Sequence, residues 1–139
     1  TRKGAQYQQS FEAPEAHILV VDDNDMNLTV VRKLLSATKI QIDTALSSAE
    51  CLKLTQKQHY DAILMDHLMP EMDGFEAARR IRKVPRGDAQ IIPVIAMSAK
   101  DSQEDIDACR EAGMNAYIAK PVEPQKLYQV LVEYLENPI

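Results

Sequence analysis

Between His17 and Leu135 the chain repeats one scheme five times: a short apolar run, a polar turn, then a stretch with apolar residues at helical spacing. No feature constrains the fold more. His17-Ile18-Leu19-Val20-Val21 and Asp61-Ala62-Ile63-Leu64-Met65 are continuous apolar runs too short for helices. Lys39-Ile40-Gln41-Ile42-Asp43-Thr44-Ala45 alternates in period two, as a half-buried strand does. Ile91-Ile92-Pro93-Val94-Ile95-Ala96 carries its proline near the start, where one lost ladder bond is tolerated. Asn115-Ala116-Tyr117-Ile118-Ala119 completes the set.

The intervening stretches read as helices. Asp22-Asp23-Asn24-Asp25 supplies turn and N-cap chemistry ahead of Met26, Val30, Val31, Leu34 and Leu35. Ser47 or Ser48 caps a helix carrying Leu52 and Leu54, and Asp73 caps one through Phe75, Ala78 and Ile81 that ends before Pro85-Arg86-Gly87. Asp101 to Ala112 is helical and stopped by Gly113. Pro124 opens the last helix, through Leu127, Val130, Leu131 and Leu135. Five strands alternating with five helices predict an α/β fold, a doubly wound parallel sheet joined by right-handed crossovers. In such sheets the ligand site lies beyond the carboxyl ends of the strands.

Composition narrows the function. A chain of 139 residues suits one domain, and its hydrophobic content of 45% and charged content of 27% are ordinary for a globular protein. A net charge of −5 and the lack of tryptophan argue against direct contact with nucleic acid. Arg79, Arg80, Arg82, Lys83 and Arg86 read as a solvated helix face. Cys51 and Cys109 read as buried small hydrophobes in a reducing, cytoplasmic compartment. No run approaches the ~18 apolar residues of a membrane span, so no membrane contact is expected, and no signal-peptide pattern opens the chain. Thr1 to Ala16 is polar and glutamine-rich, expected as a flexible linker or tag remnant, with the domain at residues 17–136 and a tail at 137–139.

The strand ends carry the chemistry. They are Asp22-Asp23, Asp66, Ser98 and Lys120-Pro121, and in a parallel sheet all converge on one edge. Three neighbouring carboxylates repel, and at least one pKa rises unless a cation intervenes. Mg²⁺ takes oxygen ligands and typically uses one or two carboxylates beside phosphate oxygens. Asp22, Asp23 and Asp66 supply that set, with the backbone carbonyl of His67 or Leu68 as a further donor. A carboxylate is also a nucleophile towards phosphorus. Lys120 and the Ser98 hydroxyl would then neutralise and hydrogen-bond phosphoryl oxygens. Met69-Pro70-Glu71-Met72-Asp73-Gly74 is a rigid turn into a capped helix, and Lys120-Pro121 permits a cis peptide that would turn the lysine inward.

These residues carry a resemblance. Ile18-Leu19-Val20-Val21-Asp22-Asp23-Asn24, Leu64-Met65-Asp66 with Met69-Pro70-Glu71-Met72-Asp73-Gly74, Ile95-Ala96-Met97-Ser98-Ala99 and Tyr117-Ile118-Ala119-Lys120-Pro121 together resemble the receiver domain of two-component response regulators and hybrid histidine kinases, over residues 17–136. The resemblance implies a flavodoxin-like strand order 2-1-3-4-5. It implies Asp66 as phosphoacceptor, Asp22 and Asp23 as the acidic pair for Mg²⁺ (or Mn²⁺) with Asp23 the direct ligand, and the His67 carbonyl as backbone metal ligand. Ser98 and Lys120 stand at the family's hydroxyl and lysine positions, and Tyr117 at its aromatic switch position. His67 is less usual than an apolar residue after the phosphoacceptor, and Leu68 and Lys100 occupy variable positions flanking the site.

The implied partner is a histidine kinase or histidine phosphotransfer protein. The implied output surface, and a homodimer contact, is the last two helices with the last strand. The segment Ser10 to Ala16 favours a piece of a hybrid histidine kinase over a stand-alone regulator. As an isolated domain the chain would not be an enzyme beyond self-phosphorylation and autodephosphorylation on Asp66. An aspartate-nucleophile phosphatase of the haloacid dehalogenase type needs a second acid two residues past the nucleophile, and Leu68 stands there. A receiver-shaped module that is never phosphorylated has little support while Asp22, Asp23, Asp66, Ser98 and Lys120 are all present.

Overall fold

Each apolar run forms a strand: β1 (His17–Val21), β2 (Gln41–Ala45), β3 (Ala62–Asp66), β4 (Val94–Ser98) and β5 (Ala116–Ala119). The structure, a computed structural model, describes residues 12–85, 87–99 and 102–136. All neighbouring strand pairs are parallel, in the order β2-β1-β3-β4-β5. The helices are α1 (Asp25–Leu34), α2 (Ser48–Lys57), α3 (Gly74–Ile81), α4 (Gln103–Glu111) and α5 (Pro124–Glu136). This is the flavodoxin-like order expected above.

Alternation along the strands builds two cores, because successive side chains leave a strand on opposite faces. Leu19, Val21, Ile63, Met65, Val94 and Ala96 pack with Cys51 of α2, Ala77, Ala78 and Ile81 of α3 and Cys109 of α4. Ile18, Val20, Leu64, Ile95 and Met97 pack with Leu28 and Val31 of α1 and Leu127 and Leu131 of α5. Helices on both faces therefore bury every residue of β3 and β4. Both cysteines are buried, as expected, and burial pushes the Cys51 thiol up to about 12.

Local chemistry sets the helix starts. Asn24, Ser47 and Asp73 each accept a backbone N–H from the first turn of the helix they cap. Ser47 is thus the cap of α2, while Ser48 is buried and donates to the Met72 carbonyl at 2.7 Å. Ser102 and Asp105 form a reciprocal capping box at α4; the expected start at Asp101 lies outside the described residues. Gly113, at φ 97°, ends α4 as expected.

Three expectations need correction. In α1 the buried stripe is Leu28, Val31 and Leu35, whereas Met26 and Val30 are 75% and 49% exposed. Leu28, Val31 and Leu35 pack into the core with β1 and β3, which turns Met26 and Val30 outward. β4 starts at Val94, one residue past Pro93, and Ile91 is exposed in the preceding turn. Residues 12–16 are not loose: Ala13 N–H donates to the Thr38 carbonyl at 2.7 Å and Gln41 N–H to the Ala16 carbonyl at 3.0 Å. The remainder of the expected linker, the tail at 137–139 and Arg86 lie outside the described residues.

The basic stretch also divides. Arg79 and Arg80 are exposed and pair with Glu76, as a solvated face should. Arg82 instead reaches inward and donates to the carbonyls of Ala89, Ile92 and Gly113 and to Asn115 Oδ1. It ties the end of α3 to the segment before β4 and to the turn before β5. Arg82→Ala should cost about 2–4 kcal/mol in urea denaturation, because several half-buried carbonyls lose their donor at once. A loss no larger than that of Arg79→Ala would return Arg82 to the solvated face.

At the opposite end of the sheet from the carboxyl ends, Asp43 Oδ2 accepts from Tyr60 Oη and Gln58 Nε2, each at 2.8 Å, and lies 3.1 Å from His17 Nε2. Burial disfavours the carboxylate, but these hydrogen bonds and the nearby imidazole outweigh it and hold Asp43 below its ordinary 3.8. A depressed native pKa stabilises above the unfolded value and is lost as pH falls through the native one. The stability gap between native chain and Asp43→Asn should therefore narrow as pH falls below 3.8, as followed by urea midpoints; a gap persisting in acid would refute it.

Candidate functional site

The register sets the carboxyl ends of the strands side by side: Val21 pairs with Met65, Asp66 with Met97 and Ser98 with Ala119. Asp22 and Asp23 leave β1, Asp66 ends β3, Ser98 ends β4, and Lys120 follows β5. Carboxylate oxygens of Asp22, Asp23 and Asp66 all lie within 4.8 Å of one another. Asp22 is 1% exposed and Asp66 4%, while Asp23 faces solvent. Lys120 Nζ donates to Asp66 Oδ1 at 2.8 Å and to Asp22 Oδ2 at 3.4 Å. The Lys120–Pro121 peptide is cis.

The electrostatics follow from that count of charges. Burial pushes Asp66 above its ordinary value; the Lys120 hydrogen bond and charge oppose the rise, and the charges of Asp22 and Asp23 add to it. Lys120 is raised: burial works against its charge, but the bond to Asp66 and the two carboxylates prevail. One ammonium does not balance three carboxylates. The donors are all hard oxygen atoms, and one of the acids is open to solvent, so the residues fit a hard divalent cation such as Mg²⁺ or Mn²⁺.

Asp22 is held in one orientation. Its Oδ1 accepts the Asn24 backbone N–H at 2.9 Å and Asn27 Nδ2 at 3.3 Å, leaving Oδ2 towards Lys120. The loop after Asp66 is held equally firmly. His67 N–H donates to the Met97 carbonyl at 3.1 Å, and Gly74 N–H donates to the His67 carbonyl at 2.8 Å. The His67 ring is buried and stacks on Phe75 at 3.8 Å with 23° between planes, and its Nδ1 is buried with no hydrogen-bond partner. Leu68 points outward, 55% exposed.

On the far edge, the Ser98 carbonyl accepts the Tyr117 hydroxyl at 3.0 Å and the Lys120 N–H at 2.9 Å. Asp22, Asp23, Asp66 and Lys120 thus meet in direct contact or close to it, Ser98 and Tyr117 adjoin them at the β4–β5 edge, and Lys100 lies outside the described residues. The sequence assigned Asn27 no role, and Gly74 only a place in the turn before α3. The spacing Asp22-x-Asn24-x-x-Asn27, a carboxylate facing the first turn of its own helix, was the available signal for the first.

Residues 18–132 match the family described as the response regulator receiver domain. The chain belongs to that family. This receiver is 36% identical over 129 residues to hybrid signal transduction histidine kinase L of Dictyostelium discoideum, a match covering 86% of the chain and 7% of that kinase. It thus spans only a small part of the length of the curated relatives it matches. Among solved structures, the receiver domain of a Pseudomonas aeruginosa sensor histidine kinase, with a magnesium ion coordinated in its active site cleft, matches at TM-score 0.80 and 34% identity, covering 88% of this chain and 98% of that one. The receiver domain of the Saccharomyces cerevisiae response regulator Ssk1, solved with the histidine phosphotransfer signaling protein Ypd1, matches at TM-score 0.79 and 26% identity, covering 87% and 89%. The chain is a receiver of the two-component phosphorelay type.

A side chain at Gly74 has no room: its Cβ would stand 2.7 Å from the Asp66 carbonyl oxygen and 3.0 Å from His67 Cα, both backbone atoms. Gly74→Ala should cost about 2 kcal/mol in urea denaturation, since the loop behind Asp66 must shift to admit a methyl group. Native stability in that variant would show the loop is not held as described.

Proposed function

We propose that this receiver accepts a phosphoryl group from a phosphohistidine onto Asp66 and serves as one segment of a hybrid histidine kinase. The observation that carries the reading is a buried Asp66 hydrogen-bonded to Lys120 at 2.8 Å with two more acids beside it.

In the proposed step an Asp66 carboxylate oxygen attacks phosphorus in line, the P–N bond to the donor imidazole breaks, and the imidazole leaves with the bonding pair. Lys120, bonded to Asp66 and Asp22 at rest, would follow the developing negative charge on the phosphoryl oxygens. Asp22 and Asp23 would hold Mg²⁺ or Mn²⁺ beside Asp66, and the bound cation would supply charge neutralisation at the phosphoryl oxygens. For the backbone ligand, the His67 carbonyl is already engaged by Gly74 N–H, which favours the Leu68 carbonyl. The Ser98 hydroxyl would donate to a phosphoryl oxygen. Movement of Ser98 would disturb the hydroxyl of Tyr117, which is bonded to the Ser98 carbonyl, and so reach β5. Such linkage is typically worth ~1–3 kcal/mol, enough to bias a partner surface. We place that surface, and any homodimer contact, on α4, β5 and α5.

A histidine kinase or histidine phosphotransfer protein is the proposed donor, a reading supported by the yeast receiver solved with Ypd1. The kinase relatives, of which this chain covers a small part, favour a fragment of a hybrid kinase over a stand-alone regulator. The proposed receiver unit is residues 17–136, with 12–16 packed against it. Among the described residues no helix is long and apolar enough to cross a membrane, and the proposed location is cytoplasmic. Leu68, exposed and apolar, cannot act as the general acid a phosphatase of this chemistry requires, so the isolated domain is proposed to catalyse only its own phosphorylation and dephosphorylation.

Incubation with acetyl phosphate and Mg²⁺ should add about 80 Da, one phosphoryl group, to the native chain by intact mass. The gain should vanish with EDTA and in Asp66→Asn. A folded native chain that gains no mass under these conditions would favour the unphosphorylated module instead.

A further inference from the structure

Asp22 is nearly fully buried, so no bulk water orients its carboxylate; protein donors do. Lys120 Nζ contacts Oδ2, and the donors to Oδ1 belong to the cap and first turn of α1. Elsewhere in the chain a helix start is conventional: at α4 the side chain of Asp105, third in the helix, reaches back to the backbone of its own cap, Ser102. At α1 the backbone N–H of the cap, Asn24, is instead taken by Asp22 Oδ1 at 2.9 Å. The side chain at the third helical position, Asn27, then donates to that same oxygen at 3.3 Å. Asp25 and Met26, which precede it in the helix, are exposed, and Asn27 is half-buried.

We infer that Asn27 is a positioning residue for the divalent cation: it pins Asp22 Oδ1 so that Oδ2 faces Lys120 and the metal position. The inference rests on the reading of the acid cluster as a cation site. Two donors on one oxygen stop the carboxylate from exchanging its oxygens by rotation, and they draw charge onto the oxygen that does not face the cation. An amide suits the position because it donates without bringing charge. A carboxylate there would add a fourth negative group to the cluster, and an aliphatic side chain would leave Oδ1 to the Asn24 N–H alone. Groups that hold a metal ligand from behind in this way are commonly worth about 10–100-fold in metal affinity.

The test uses Mn²⁺ as probe, its free-ion electron paramagnetic resonance signal reporting binding to the native chain, Asn27→Ala and Asn27→Gln. Asn27→Ala should weaken Mn²⁺ binding about 10-fold, the lower end for an outer partner at a half-buried position. Asn27→Gln, which keeps the amide donor, should recover most of the affinity. Urea denaturation in EDTA should find all three chains folded and similar in stability. In phosphorylation by acetyl phosphate, Asn27→Ala should need about 10-fold more Mg²⁺ for half-maximal labelling and reach the native rate at saturation. Native affinity in Asn27→Ala overturns the inference and leaves the cation site standing. Equal losses in Ala and Gln, matched by equal losses of stability in EDTA, also overturn it by making the role structural. A native chain that binds no Mn²⁺ overturns the cation site itself, and the inference falls with it.

Discussion

Lys120 joins Asp66 and Asp22 across 54 and 98 residues of sequence, and the rest of the site is arranged around that contact. The parallel sheet, with β3 between β1 and β4 and β5 beyond β4, delivers all three groups to one edge. The arrangement is costly by itself. Two buried carboxylates and a third at their side leave negative charge that one ammonium does not balance; Asp66 lies above its ordinary value, chiefly through burial and then through the charges of Asp22 and Asp23. Folding tolerates the imbalance because it is confined to the sheet edge, while both faces of the sheet bury apolar side chains of every central strand. A site that is under-neutralised at rest is one that a cation or a transferred group can change.

The two sides of the site are built differently. On the β1–β3 side almost everything is fixed: Asp22 by Asn24 and Asn27, and the loop after Asp66 by Gly74 N–H, the Met97 carbonyl and the His67–Phe75 stack. On the β4–β5 side a single carbonyl, that of Ser98, receives both the Tyr117 hydroxyl and the Lys120 N–H. A rigid acidic wall facing an edge whose hydrogen bonds converge on one residue gives displacement a preferred direction. In the proposed switch, motion at Ser98 would pass to the strand carrying Tyr117 and to the lysine, whereas the acids would stay in place.

The parts legible in the sequence were those where one physical requirement dominates. β1 was readable to its ends because burial on both faces demands an unbroken apolar run and Asp22 terminates it. The acids and Lys120 were readable because strand ends in a parallel sheet must converge. Where two requirements compete, reading failed. Met26 and Val30 fit a helical stripe as well as Leu28 does, and only packing against the sheet decides which stripe faces inward. Arg82 sits among exposed arginines, and its burial depends on carbonyls contributed by segments 7 to 31 residues further on. The bond from Gly74 N–H to the His67 carbonyl is a contact with no trace in residue type.

Charge bookkeeping explains why cation, lysine and hydroxyl have to act together in the proposed reaction. A phosphoryl group brings about two negative charges and takes up the single one on Asp66, so the cluster becomes more negative by about one. Lys120 is already bonded to Asp66 and cannot be counted twice. A divalent cation held beside Asp66 by Asp22 and Asp23 would remove most of the excess. Oxygens on the opposite side of the phosphoryl group then lack a donor, and the nearest elements able to supply one are the ends of β4 and β5. Closure of the Ser98 edge is therefore the electrostatic complement of the acid pair. A receiver with Asp22 held correctly and Ser98 immobilised would bind its cation and take the phosphoryl group, yet transmit little of it to Tyr117.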